Sequence, residues 1–374
     1  MEFKISVDDL QNIMSKLSNV IKINEEGITG MVLIEVTDTV KFKATDGNVS
    51  MVITSDQCET ITKGKTLTRF RDIKGYIMKF IPLVEDYGTE DFHFIVDANS
   101  GVIKTKTQTP SNKPSYGKLK FEVFSPEMYP IVKEFDEAHL IVNSVILKKG
   151  IGRVLHCVNP KEVRKAITGV SVTIKENKIV FAGTNGVKLS EFEMDINADI
   201  EKKSHIFSYN FASILRNVLD DDAQVFIRFE GRHVYIKSNN IYLIGSLIIG
   251  ESYPDYKSMF DLSNVIRFPR VAFADAVNRV MDVLDIEDNS RLTLNFTDNI
   301  LTLKNDRVES VQEFEDPFGT DLDIDVNGEY LDSILRDFFN EELELYFTEG
   351  NNYIVFRSPE NCKHTALLTI VKRR

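Results

Sequence analysis

Three places in the sequence carry residue types that could do chemistry. Lys63-Gly64-Lys65-Thr66 has the lysine and hydroxyl that close a phosphate-binding loop. Such a loop also needs a glycine five residues before Gly64, so that backbone N–H groups can turn in on a phosphate, and Glu59 stands there instead. Asp321, Asp323 and Asp325 alternate with Leu322, Ile324 and Val326, which sets three carboxylates on one strand face. That face could hold a cation, but the glycine of a calcium loop is missing, and a solvent-facing strand side is the simpler expectation. His156 beside Cys157 pairs an imidazole with a thiol, although adjacent residues on a helix point apart. The histidines at 93, 139, 156, 205, 233 and 364 show no paired ligand spacing. Cys58, Cys157 and Cys362 are isolated and odd in number, as reduced buried thiols are. No catalysis, metal or cofactor is expected.

The elements that would position these residues repeat. Four of them recur in the same order three times over the 374 residues. Each unit opens with an amphipathic helix: Asp8 to Lys22, Ser144 to Leu155, and Phe268 to Val283, with Leu284 close behind. Ser6 and Asp9 make a capping start for the first. A hairpin of alternating apolar residues follows, MVLIEV-TDT-VKFKAT, then VSVTI-KEN-KIVFAGT, then LTLNF-TDN-ILTLKN. Next come short helices at Ile73 to Phe80, Phe211 to Leu219 and Tyr330 to Phe339, and then a second hairpin. Met128-Tyr129-Pro130-Ile131 and Ser252-Tyr253-Pro254-Asp255-Tyr256 read as linkers, because proline restricts its own and the preceding residue's backbone. The fold class expected is α+β, three copies of one domain of two helices on antiparallel sheets, at 1–134, 135–256 and 257–374.

The formal charge of -12 argues against polyanion binding over the whole surface, since phosphate affinity comes from accumulated Lys and Arg contacts. The helical windows, however, hold more basic than acidic residues, and the rest of the chain carries the negative excess. Lys16, Lys22, Arg71, Lys74, Lys148, Lys149, Arg153, Arg216, Arg279 and Arg336 could face phosphates from one concave surface without reading bases. No stretch of 18 apolar residues exists and the first residues run straight into a strand pattern, so neither a membrane span nor a signal peptide is expected and the cytoplasm is.

The N-terminal MEFKISVDDLQNIMSKLSNV, Thr184-Asn185-Gly186-Val187-Lys188-Leu189, Tyr253-Pro254-Asp255-Tyr256 and Asn327-Gly328-Glu329-Tyr330-Leu331 resemble the bacterial β sliding clamp, the processivity subunit of DNA polymerase III. The resemblance covers essentially the full length. It implies a head-to-tail homodimer whose six domains ring double-stranded DNA without sequence specificity, tether the replicative polymerase and are opened by an ATP-dependent clamp loader. It implies a DNA-contacting loop at Lys161, Arg164 and Lys165, and a partner-peptide pocket at Ile167, Thr184, Gly186, Lys188, Leu189, Pro254, Met259, Asn327, Tyr330, Leu367, Thr369, Ile370 and Val371. TNGVKL stands where the family has Thr-Asp-Gly-His-Arg-Leu, and the chain ends Lys372-Arg373-Arg374, as in a divergent or bacteriophage-encoded member. The competing readings are a β-rich metal-dependent enzyme acting on nucleic acid, which would need Asp321 or Asp323 for turnover, and a repetitive structural or virion protein, which would assemble without closing.

Overall fold

The structure is a computed structural model that describes residues 1–82, 88–109, 113–130, 135, 137–197, 202–281, 290–350, 352–359 and 363–372. Ile131, Val283, Leu284, Cys362, Arg373, Arg374 and the expected boundary at 134 lie outside the described residues.

Six α-helices occur among the described residues: α1 (Val7–Leu17), α2 (Phe70–Ile77), α3 (Ser144–Leu155), α4 (Tyr209–Val218), α5 (Arg270–Met281) and α6 (Gly328–Leu335). Each overlaps one of the six windows expected from periodicity, and the differences are at the ends. α1 stops at Leu17 rather than Lys22: Asn19 Nδ2 donates to Lys16 O at 3.0 Å, a carbonyl that Val20 N would have bonded in a longer helix, and the Ser18 hydroxyl folds back on Met14 O at 2.6 Å. Short polar side chains start four of the helices. Ser6 Oγ accepts from Asp9 N at 3.3 Å, Asn143 Oδ1 from Val145 N at 2.8 Å, Ser208 Oγ from Phe211 N at 3.3 Å and Asn327 Oδ1 from Tyr330 N at 2.8 Å. The faces then bury Leu10, Ile13, Met14 and Leu17 on α1, and Phe273, Ala276, Val277 and Val280 on α5.

The threefold repeat is visible in one turn, where Asp46 Oδ1 accepts from Asn48 N and Val49 N at 2.8 and 2.6 Å. Asn185 Oδ1 accepts in the same way from Val187 N and Lys188 N at 3.0 and 2.9 Å, and Asn305 Oδ1 from Arg307 N and Val308 N at 2.9 Å each. In the first two copies a threonine, Thr45 or Thr184, also donates across the turn to Val49 O or Lys188 O.

The chain divides into two compact units, residues 1–148 with 213–247, and residues 149–212 with 248–374. The first unit holds a five-stranded sheet, in spatial order Cys58–Thr62, Glu2–Ser6, Gly88–Val96, Ser100–Gln108 and Ser115–Glu122. It also holds an eight-stranded sheet, in order Leu140–Asn143, Gln224–Glu230, His233–Ser238, Ile241–Ser246, Ser50–Ser55, Val40–Thr45, Met31–Val36 and Gly64–Arg69. In the second unit the eight strands run Lys203–Ser208, Gly169–Lys175, Lys178–Thr184, Lys188–Asp195, His364–Thr369, Tyr353–Arg357, Glu342–Phe347 and Asn264–Pro269. A four-stranded sheet there runs Glu309–Glu313, Ile300–Lys304, Arg291–Thr297 and Leu322–Asn327. Every pairing within these sheets is antiparallel.

The units therefore cut across the division by repeat, each taking one end repeat and part of the middle one. The backbone gives the reason: Ser50–Ser55 bonds to Ile241–Ser246 with Met51 opposite Leu243, and Lys188–Asp195 bonds to His364–Thr369 with Leu189 opposite Leu367. Both hairpins of each repeat form where alternation places them. The flanking strands Gly64–Arg69 and Lys203–Ser208 are added from segments that lack a clean period, whereas Leu322–Asn327 forms where the alternating aspartates place a strand.

Candidate partner-binding face and nucleic-acid interface

The residues that could have done chemistry are held in structural roles. Gly64, Lys65 and Thr66 lie in the strand Gly64–Arg69, where Lys65 pairs with Glu35 at 2.6 Å, and Lys63 pairs with Asp38 at 2.6 Å. Of the alternating aspartates, Asp321 and Asp323 are exposed, but Asp325 is not the solvent-facing carboxylate its alternation predicts. It is 1% exposed and accepts from Arg291 Nε at 2.9 Å and from Thr293 Oγ1 at 2.7 Å, because the neighbouring strand sets Thr293 directly opposite. Cys157 corrects the expectation that it points away from His156. α3 has ended at Leu155, and the sulfur lies 3.5 Å from His156 Nε2 and 3.8 Å from Nδ1. A nucleophile and base need the sulfur on one nitrogen and a carboxylate on the other. Here Asp337 Oδ2 sits 2.6 Å from the same Nε2, too poorly aligned for a hydrogen bond, and burial pushes the thiol up to about 12. Among the described residues no group of three or more His, Cys, Asp or Glu is arranged to hold a metal ion, and no helix is long and apolar enough to cross a membrane.

The residues expected to form a peptide pocket all lie in the second unit, where the pleat divides them. Leu189 and Leu367 share one face of the eight-stranded sheet and are buried with Val355 and Phe260; Met259, Tyr256, Tyr346 and Tyr353 pack on them and are partly exposed. Lys188, one residue earlier in the strand, turns to the opposite face. There its ammonium donates to Ser333 Oγ at 2.7 Å, lies 5.0 Å from the centre of the Tyr330 ring, and is pulled below the usual lysine range by burial. Tyr330 and Ile370 pack on the core of that side, and Asn327 caps the helix that carries Tyr330. The terminal segment is tied down by its backbone, Thr369 N donating to Val187 O at 2.9 Å, Ile370 N to Asn352 O at 2.8 Å and Val371 N to Asp325 O at 2.7 Å. Ile167 belongs to a third cluster, with Ala166, Ile206, Ile248 and Tyr253, whose hydroxyl donates to Ala182 O at 3.2 Å. Thr184 is buried in its turn, whereas Gly186 is exposed, has φ 86° and lies so close to the Arg164 guanidinium that a Cβ would meet it at 2.5 Å. Pro254 is exposed and lines an open groove of about 470 Å³ with Ser171, Thr173 and Tyr256.

The accessible apolar surface therefore comes from Tyr256, Met259, Tyr346 and Tyr353, and of these the sequence reading assigned only Met259 to the pocket. Tyr346 and Tyr353 lie on the paired strands Glu342–Phe347 and Tyr353–Arg357, whereas Tyr256 and Met259 come from the turn before Asn264. Charged groups orient the edge of this face: Tyr256 donates to Glu191 Oε2 at 2.6 Å, Lys257 pairs with the same carboxylate, and the Arg357 guanidinium stacks 4.8 Å from the centre of the Tyr346 ring.

The expected phosphate-facing cations separate into two kinds. Lys16 pairs with Asp220 at 2.5 Å, Lys22 with Glu25, Arg71 with Asp72, Lys148 with Asp221, and Arg336 with Asp332 at 2.8 Å. Lys74 lies over the Phe70 ring, Arg153 donates to Asp337 O, and Arg279 to Ser310 Oγ and Gln312 Oε1 at 3.1 and 3.0 Å. Lys149 and Arg216 are exposed on α3 and α4, and Lys161, Arg164 and Lys165 are exposed in the loop after α3.

Comparison with known proteins agrees with this fold. Residues 141–255 match the family model of the DNA polymerase III beta subunit, central domain. The beta sliding clamp of Staphylococcus epidermidis is 26% identical over 256 residues, 66% of this chain and 68% of that protein. The crystal structure of the DNA polymerase III subunit beta from Pseudomonas aeruginosa superposes over 100% of both chains with a TM-score of 0.87 at 15% identity. The Helicobacter pylori beta clamp bound to a DNA ligase peptide does so with a TM-score of 0.82 at 14% identity. The fold class is that of the clamps built from repeated α+β domains. The chain is a relative of the bacterial β sliding clamps.

Proposed function

We propose that this protein is a DNA sliding clamp, a ring of two copies that encircles duplex DNA and tethers a replicative polymerase without turnover of its own. One observation carries the reading. The third strand of a repeat's first hairpin sheet pairs with the last strand of the next repeat twice, Ser50–Ser55 with Ile241–Ser246 and Lys188–Asp195 with His364–Thr369. The remaining members of that series, Glu309–Glu313 and Ser115–Glu122, are both edge strands. Unpaired edges are templates for pairing, and a head-to-tail contact that repeats by rotation closes into a ring. Glu309 and Glu313 are exposed on one edge and Lys118 and Lys120 on the other, so the pairing is also favoured by charge.

In such a ring topology supplies retention, and contacts to DNA need only be loose and salt-dependent. Lys149, Arg216, Lys161, Arg164 and Lys165 are the residues best placed by exposure to meet phosphate, ahead of Lys16 and Arg153, whose charges are engaged within the fold. Partners such as the polymerase and an ATP-dependent loader would dock a short apolar peptide on the Tyr256, Met259, Tyr346 and Tyr353 face, and the tethered partner gains effective concentration rather than a new contact. The test is topological. Protein loaded on nicked circular DNA is expected to be lost within minutes once the circle is cut, and equal retention on circle and linear DNA would refute the clamp.

A further inference from the structure

Helix ends are tied together at both junctions between repeats inside the chain. Leu10, Leu147 and Phe273 occupy one position of α1, α3 and α5, which aligns Lys16 with Arg153 and Arg279, and Asn19 with His156. Ile73-Lys74-Gly75-Tyr76, Ile214-Leu215-Arg216-Asn217 and Ile334-Leu335-Arg336-Asp337 align the second helices, which sets Asn217 with Asp337 and Asp220 with Lys79. At the first junction Lys16 Nζ pairs with Asp220 at 2.5 Å, and Asn217 Nδ2 donates to Asn19 Oδ1 at 3.3 Å. At the second, Arg153 donates to Asp337 O, and His156 Nε2 lies 2.6 Å from Asp337 Oδ2. Each junction is thus pinned by a cation at the end of one helix reaching an oxygen at or just beyond the end of the other.

The third set carries neither acid of these two junctions, since Tyr76 stands at the position of Asp337. Its cation, Arg279, bonds instead to Ser310 and Gln312 on its own edge strand, and the position of Asp220 is taken by the exposed Lys79. If Glu309–Glu313 pairs with Ser115–Glu122 of a second copy as the two inner pairs do, Arg279 of one copy approaches Lys79 of the other. We propose that Arg279 and Lys79 of the next copy form a like-charge pair at the helix ends of the junction between copies, which sets how fast that junction parts although its strands carry opposite charges. This rests on the clamp reading, and the assigned gating pair is Arg279 with Lys79 of the next copy.

A charge cycle tests it. Wild type, Lys79→Asp, Arg279→Asp and the double variant are each labelled with donor or acceptor dye, and subunit exchange is followed by energy transfer after mixing. Each single variant turns repulsion into attraction and is expected to exchange at least about threefold more slowly, with the acid-acid double variant returning towards the wild-type rate. A dimer whose exchange is unchanged in both single variants, or is slowed further in the double, overturns the gating pair while the ring stands. A wild-type protein that forms no dimer at micromolar concentration overturns the clamp reading and this inference with it. Far-ultraviolet circular dichroism of the four proteins checks that each is folded before its exchange is compared.

Discussion

At His364 the fold keeps an imidazole out of water. Its Nε2 is 2.9 Å from Ser190 Oγ, the Phe338 ring stacks on it at 4.2 Å and Phe192 meets it edge-on. Burial, aided by the nearby Arg153 charge, holds it down to about 3 against an ordinary 6.5. A depressed pKa means that the unfolded chain takes the proton first as pH falls. Stability from the neutral ring is therefore fully present above about 6.5 and is lost progressively down to about 3, with a slope approaching 1.4 kcal/mol per pH unit. In urea titrations between pH 7 and 4, His364→Gln is expected to flatten this acid limb by about that slope. An unchanged slope would mean the ring is protonated in the native state. Nothing in the sequence around His364 marks it as buried, since Phe338 and Ser190 reach it from distant segments.

Helix starts are local, and here sequence and structure agree most closely. Ser6 before Asp9 announces α1, and Asn327, read from the sequence only as part of the family-like segment, caps α6 through Tyr330 N with the same chemistry. Asn327→Ala should lower stability to denaturant by about 1 kcal/mol, whereas Asn327→Asp, which keeps an acceptor for Tyr330 N, should lose much less. Equal losses would show that Asn327 acts through packing. Helix ends were harder to read, because α1 is terminated by side chains folding back on carbonyls, a competition that periodicity does not register. Of the pocket residues assigned by resemblance, Leu189, Met259 and Leu367 come together, whereas Lys188 and Ile370 pack on the other face.

For the whole molecule, net charge says less than its placement. With -12 overall, any DNA affinity must rest on a few exposed cations. Charge reversal of Lys149 and Arg216 together should reduce the slope of log affinity against log salt by about two, measured by fluorescence anisotropy on short duplexes, and leave the oligomeric state unchanged. The same reversal at Lys16 should act instead on stability, by removing the partner of Asp220. If the Lys149 and Arg216 variant binds with unaltered salt dependence, phosphates are met elsewhere.

By itself the sequence determined the α+β class, the three copies of one element order and the absence of a complete phosphate loop. These follow from periods of 2 and 3.6, turn residues and short-range caps, all of which act within a few residues. Tertiary structure alone decided that strands pair from one repeat to the next, that Asp325 is buried on Arg291, and that Lys16 and Arg153 pin helix ends while Lys149 and Arg216 stay exposed. Those outcomes depend on which distant residue arrives opposite, and no local period carries that information.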